Sequence, residues 1–322
     1  MRSDVQEAAR VLRESERILI SGHTNPDGDS LGSMCALGHA LRALGKTVTM
    51  ASPDGVPDGY KFLPGSDRIV TQLSQNQQYD LCVMVDAENV GRLGAVADVL
   101  KSCKKVLDID HHPGGDRTAD VQVVDATSAS SGEIVHEILK EMGVRISTAI
   151  AECLLTAIVT DTGCFRFSNV KPSTLRTAAS LIEKGASISK VVRRVYETRP
   201  LSSSKLLGMA LSTLSTAENG QIAYASISRE QMTAAGADGS EAEGIVNYVR
   251  SVRGARVGIL FREEEDGTTR VSLRAGEGMD VAQIARLFGG GGHKTAAGCT
   301  IDAPLPEAVD LVIGAVQKWM AS

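Results

Sequence analysis

His23-Thr24-Asn25-Pro26-Asp27-Gly28-Asp29 sets one imidazole and two carboxylates within seven residues, on a stretch that Pro26 and Gly28 shape into a turn. Three such side chains on one turn can share a metal ion. Taken alone, the stretch reads equally well as an Asx turn leading into a helix cap. The same residue types recur as Asp86, as Asp110-His111-His112, and as Asp161 within Val159-Thr160-Asp161-Thr162-Gly163. Each of these also has a plain local explanation, a helix cap or a satisfied backbone group. Of the 6 histidines, His23, His111, His112 and His293 fall in unusual segments, whereas His39 and His136 lie in ordinary amphipathic helices and read as structural.

The order of elements is what can bring these segments together. Arg17–Ser21 reads as a strand, followed by a small-residue helix over 31–44 that ends at Gly45. Residues 47–50, 81–85 and 106–109 read as further buried strands, with helices over 90–100 and 131–142 between or after them. This alternation predicts an α/β fold with a parallel sheet and helices on both faces. The carboxyl ends of parallel strands lie along one edge, so the turn after Arg17–Ser21, Asp86 and Asp110-His111-His112 converge although far apart in sequence. Ile150, Leu154, Leu155, Ile158 and Val159 follow one helical face, which puts Asp161 at a helix C-terminus; it joins the others if that helix points at the same edge.

Charge then demands a cation. Asp27, Asp29, Asp86, Asp110 and Asp161 gathered at one edge would repel one another and raise one another's pKa. Two divalent ions would cancel most of that charge. Carboxylate and imidazole without thiolate favour Mn²⁺ or Mg²⁺ over structural Zn²⁺. Two metals ~3.5–4 Å apart suit phosphoryl hydrolysis, because they lower the pKa of a bridging water and stabilise both the attacking and the leaving oxygen.

The rhythm changes after Gly185. Residues 188–216 read as helical, broken near Pro200, and then Ile222–Ile227, 257–262 and 270–274 read as strands, the last two joined through an Asp266-Gly267 turn. Asp280 is placed to cap a helix that reaches Phe288. The run Gly289-Gly290-Gly291-Gly292-His293-Lys294 follows; its bare backbone can approach an anion, with Arg274 closing the preceding strand. It is not a Walker loop, since His293 separates glycine from Lys294 and the run follows a helix. The expected domains are 1–186, a helical linker over 187–217, and a smaller α/β domain over 218–322.

Composition limits the partners. A chain of 322 residues exceeds what one compact core usually supports. A net charge of −5 and 3% aromatic residues argue against a grip on long DNA or RNA and against a stacking platform. The 6 cysteines include no CxxC pair, no apolar stretch follows a basic N-terminal segment, and no run approaches ~20 apolar residues. A reduced cytoplasm, with no membrane association, is the simplest expectation.

In order, His23-x-x-x-Asp27-x-Asp29, Asp86, Asp110-His111-His112, Asp161 and the GGGGH run resemble the DHH phosphoesterase family, in its bacterial branch with a DHHA1 C-terminal domain. That branch includes oligoribonucleases and 3′-phosphoadenosine 5′-phosphate (PAP) phosphatases. The resemblance implies that His23, Asp27 and Asp86 hold one metal and Asp29, Asp86, His111 and Asp161 the other, Asp86 being the bridge. It implies that Asp110 orients His111, that His112 faces the scissile phosphate, and that Arg274, Gly290, Gly291, Gly292 and His293 grip a terminal phosphate or nucleotide across an interdomain cleft. Gly114-Gly115 stand where many relatives carry a polar pair, so contacts of that loop to substrate differ. The expected substrates are RNAs of a few residues and small bisphosphorylated nucleotides, with Mn²⁺ ahead of Mg²⁺; a homodimer is compatible with the sequence. A cyclic dinucleotide phosphodiesterase is the rival within the same chemistry, and a pyrophosphatase a weaker one. A non-catalytic nucleotide sensor is the rival outside it.

Overall fold

The computed structural model describes residues 2–74, 77–114, 117–276 and 278–321. Gly115 and the side chain of His293 lie outside the described residues. The chain divides into two compact units, Met1–Thr198 and Arg199–Ser322.

The first unit is built on strands β1 (Arg17–Ser21), β2 (Thr47–Ala51), β3 (Ile69–Val70), β4 (Leu81–Val85), β5 (Val106–Asp110) and β6 (Val121–Val124). All neighbours pair in parallel, in the order β3-β2-β1-β4-β5-β6. Its helices are α1 (Arg2–Glu14), α2 (Gly28–Ala43), α3 (Ala97–Leu100), α4 (Ser131–Glu141), α5 (Thr148–Asp161), α6 (Pro172–Glu183) and α7 (Ile188–Tyr196). The central strand β4 is buried along its whole length, which is why it reads as an unbroken apolar run. One face of the sheet packs Ile18, Ile20, Val83, Val85, Leu107 and Ile109 against α1, α2, α4 and α5. The other face packs Leu19, Met84 and Cys82 against Leu93, Val96 and Leu100. Helices thus cover both faces.

The expected helix over 90–100 is broken. A 3₁₀ stretch, Val90–Val96, precedes the single turn of α3, and Gly94 breaks that stretch from within at φ 55° and ψ −133°. A side chain at Gly94 would press on Thr24 and Pro53, so the break brings this segment against the turn after β1.

Residues 187–217 are divided between the units. Val191 of α7 is part of the first core, whereas Leu206 and Ala210 of α8 (Leu201–Ser212) are part of a second-unit core. Pro200 caps α8. The second unit continues with β7 (Ser215–Ala217), β8 (Ile222–Ile227), α9 (Arg229–Ala235), α10 (Ile245–Arg250), β9 (Val257–Glu263), β10 (Thr269–Ala275), α11 (Val281–Leu287), β11 (Gly291–His293), β12 (Ala296–Ile301) and α12 (Leu305–Ala321). Its mixed sheet runs β11-β12-β10-β9-β8-β7, with β8 and β9 the parallel pair. The glycine run is therefore partly a hairpin strand, Gly291 facing Gly298 and Gly292 facing Ala297. Gly292, at φ 136°, and Gly290 abut the backbone of β12 so closely that neither admits a side chain.

Cys82 and Cys103 are neighbours across the sheet face, with Cα atoms 6.1 Å apart. Among the described residues no helix is long and apolar enough to cross a membrane.

Candidate metal centre

The turn after β1 delivers its side chains through two local bonds. Asp27 caps α2, one oxygen accepting the N–H groups of Asp29 and Ser30 at 3.0 Å each. The His23 ring lies with Nδ1 2.7 Å from the Thr24 carbonyl oxygen. Nδ1 therefore carries the proton, and Nε2 is left as the nitrogen able to ligate. Asp86, directly after β4, adopts φ 58°, a left-handed conformation that costs a non-glycine residue about 1–3 kcal/mol. The N–H of Asp86 still donates to the Ile109 carbonyl at 2.9 Å, so the strained residue is held by the sheet.

Asp29, in the first turn of α2, faces the start of α4. Its two oxygens accept the backbone N–H groups of Ser131 at 2.6 Å and Gly132 at 3.0 Å, and Ser33 Oγ donates at 3.2 Å. Unsatisfied N–H groups at a helix start are natural partners for an anion. Ser131 Oγ also donates to Asp86 Oδ1 at 3.1 Å. Ser33, Ser131 and Gly132 were not among the residues read from sequence. Backbone donors carry no residue-type signature, and Ser130-Ser131-Gly132 looks like any helix cap.

Around these groups the nitrogen–oxygen separations are uniform. His23 Nε2 lies 3.7 Å from Asp27 Oδ1 and 3.5 Å from Asp86 Oδ2. His111 Nε2 lies 3.7 Å from Asp29 Oδ2, 3.6 Å from Asp86 Oδ1 and 3.5 Å from Asp161 Oδ2. These gaps are too long for hydrogen bonds and fit donors arranged about a common cation. Donor atoms of His23, Asp27 and Asp86, and those of Asp29, His111 and Asp161, lie within 4.8 Å of one another in each group. Asp86, Asp110, His111 and His112 make a third such group.

The electrostatics point the same way. Burial, then repulsion from Asp86, Asp161 and Asp27, holds the Asp29 carboxyl well above its usual range. Burial, then Asp86 and Asp27, pushes Asp161 up to about 8. Burial disfavours a charged His23, but Asp27 and Asp86 outweigh it and push that imidazole up to about 10. Burial dominates at His111 and lowers it, which suits a neutral ligand. Buried carboxylates that resist ionisation, beside a histidine drawn to protonate, form a site short of positive charge.

Asp110 corrects one expectation. Its Oδ1 lies 2.7 Å from His112 Nδ1 and accepts the His112 N–H at 3.1 Å, so it orients His112, not His111. Strand alternation turns the Asp110 carboxylate to the sheet face, and the short return through His112 brings that imidazole over it. Its Oδ2 accepts from Arg117, another residue that sequence reading missed, at 2.8 Å. Although burial disfavours a charged Asp110, His112 and Arg117 hold it down to about 2. His112 in turn rises to about 9: burial opposes the charge, and Asp110 and Asp86 more than offset it.

In the second unit Arg274 lies on β10 and donates to the Leu273 carbonyl at 3.0 Å, its guanidinium pKa lowered by burial. Gly291, exposed beside the packed Gly290 and Gly292, has open space where a side chain would be.

Known proteins resemble this chain over almost its whole length. The model of the DHH family N-terminal domain matches residues 17–158, and that of the DHHA1 domain matches 219–322. The bifunctional oligoribonuclease and PAP phosphatase NrnA of Thermus thermophilus is 33% identical over 314 residues, 96% of this chain and 92% of that one. Its counterpart of the same name from Bacillus subtilis is 31% identical, covering 92% of each chain. The crystal structure of an exopolyphosphatase-related protein from Bacteroides fragilis matches with a TM-score of 0.94 at 26% identity, over 99% of this chain and 97% of that one. The chain belongs to the DHH family and carries a DHHA1 domain in its second unit.

Proposed function

We propose that this protein is a two-metal phosphohydrolase that cuts RNAs of a few residues to mononucleotides and removes the 3′-phosphate of PAP to give AMP. One observation carries the reading: the two oxygens of Asp86 face different imidazoles, Oδ2 toward His23 and Oδ1 toward His111. A carboxylate so placed is a bridge between two cation sites. His23, Asp27 and Asp86 would hold one cation; Asp29, Asp86, His111 and Asp161 would hold the other. The residues fit such ions, because the buried carboxylates are short of positive charge and Nδ1 of His23 is committed to a carbonyl. Bound there, the ions supply a water of lowered pKa and neutralise charge on the phosphate. Oxygen and imidazole donors favour Mn²⁺, with Mg²⁺ the alternative.

The chain's own residues do the rest. His112, drawn toward its protonated form by Asp110, donates a proton to the leaving oxygen; Nδ1 is engaged with Asp110, so the transferred proton is the one on Nε2. Arg274, Gly290, Gly291, Gly292 and His293 of the second unit grip the terminal phosphate or nucleotide. A chain of net charge −5 is suited to short substrates, not to long DNA. The relatives at 33% and 31% identity bear the two activities in their names.

The test is turnover of a ribodinucleotide, PAP, a cyclic dinucleotide and its linear product by one preparation with Mn²⁺. Release of mononucleotide from the ribodinucleotide and of phosphate from PAP is expected, both abolished by chelator. Cleavage of the cyclic dinucleotide alone would replace this reading, and binding without turnover of any of them would make the protein a sensor.

A further inference from the structure

Asp108 and Asp110 alternate with Ile109 along β5, so their carboxylates leave the strand on the same face, and both residues are fully buried. One guanidinium spans them. Arg117 donates from Nη1 to Asp108 Oδ2 at 2.6 Å and from Nη2 to Asp110 Oδ2 at 2.8 Å. It also donates from Nη2 to the His112 carbonyl at 3.0 Å and from Nε to the Gly114 carbonyl at 2.8 Å. Its side chain is 8% exposed. All three nitrogens are engaged, in the planar fork that a lysine cannot reproduce.

This arrangement fixes Asp110 at both ends. Oδ1 receives the imidazole and the N–H of His112, and Oδ2 receives Arg117. Held at one oxygen only, the carboxylate would turn about its own axis and carry the imidazole with it. Among the described residues Asp108 belongs to none of the groups whose donor atoms could share a cation, and one of its oxygens has no hydrogen-bond partner. Burying a second carboxylate on such terms is costly. Its evident use is to anchor Arg117.

We propose that Arg117, anchored by Asp108, is a positioning residue that aims His112 at the leaving oxygen of the substrate through Asp110. The proposal rests on the reading of this site as a phosphohydrolase with His112 as proton donor. Neither Arg117 nor Asp108 holds a cation in it.

The experiment compares two leaving groups. A ribodinucleotide expels a sugar oxygen that needs a proton, whereas the p-nitrophenyl ester of a mononucleotide expels a stable anion that does not. With Mn²⁺, Arg117→Ala is expected to lose on the order of a hundredfold in kcat on the dinucleotide and under about tenfold on the nitrophenyl ester, Mn²⁺ content being unchanged. Added guanidinium ion restores part of the dinucleotide rate. Because Arg117→Ala strands two buried carboxylates, Arg117→Ala/Asp108→Asn provides a variant with less buried charge; it melts nearer the wild type and stays slow on the dinucleotide. Equal losses on both substrates, lost Mn²⁺, or a wild-type rate in the double variant would each overturn the proposal. A wild-type protein inactive on every substrate would instead overturn the hydrolase reading beneath it.

Discussion

Oδ2 of Asp86 stands 3.5 Å from Nε2 of His23, and no proton placed between them makes a good hydrogen bond at that separation. A shared cation does account for it. Because the other oxygen of Asp86 is turned to His111 at 3.6 Å, neutralising this one side chain should damage both cation sites together. Asp86→Asn keeps the shape and tolerates the left-handed backbone. Bound Mn²⁺ should fall from two per chain to one or none by elemental analysis, and turnover should drop on the order of a thousandfold. Two retained ions with near-normal turnover would remove Asp86 from the bridge.

The bond from Ser131 N–H to Asp29 permits an unusual test. Ser130 is the cap of α4 and Ser131 its first helical residue, a position that accepts proline without breaking the helix. Ser131→Pro should leave the fold in place while deleting the N–H at 2.6 Å from Asp29. Mn²⁺ affinity by calorimetry should weaken about 10- to 100-fold. Ser131→Ala, which loses the hydroxyl on Asp86 and keeps the N–H, should weaken it less.

Stability of the metal-free protein should fall as pH rises. Asp161 moves from 3.8 to about 8 on folding, and His112 and His23 move from 6.5 to about 9 and about 10. Each is raised above its unfolded value, so each stabilises the fold fully below that value and ceases to do so as pH passes its folded pKa. Asp161 loses its contribution between 3.8 and about 8, the histidines between 6.5 and about 10. The melting temperature of chelator-treated protein should therefore drop by several degrees between about pH 6 and about pH 9. Saturating Mn²⁺ should flatten that slope. A melting temperature that climbs with pH without metal would contradict the charge assignment.

In the function proposed above, Arg274 serves ground-state grip, not chemistry. Arg274→Ala should raise KM for PAP about tenfold or more and leave kcat within about threefold, read from steady-state phosphate release. A fall in kcat at constant KM would place Arg274 in the reaction itself.

Much of this was legible in the chain because it depends on strand ends. Asp86 and Asp110 close buried apolar runs, and parallel order alone aligns those ends with the turn after Arg17–Ser21. Asp161 was legible as a helix end by its apolar spacing. Short-range geometry was not. Whether Asp110 meets His111 or His112 depends on the path of two residues past a strand end, which residue types do not encode. The donors to Asp29 are backbone groups of a helix met about 100 residues later, and Arg117 sits in a loop with no motif. The edge strands β3 and β6 are short and half exposed, so they lack the apolar run that marks the others. Gly94 breaks a helix for a tertiary reason, its contact with Thr24 and Pro53, that local periodicity does not register.

The most direct measurement is anomalous scattering at the manganese edge from crystals soaked in Mn²⁺. Two peaks about 3.5–4 Å apart are predicted, with Asp86 between them, His23 and Asp27 on one, and Asp29, His111 and Asp161 on the other. A fully active enzyme showing no peak within coordinating reach of Asp86 would contradict the account.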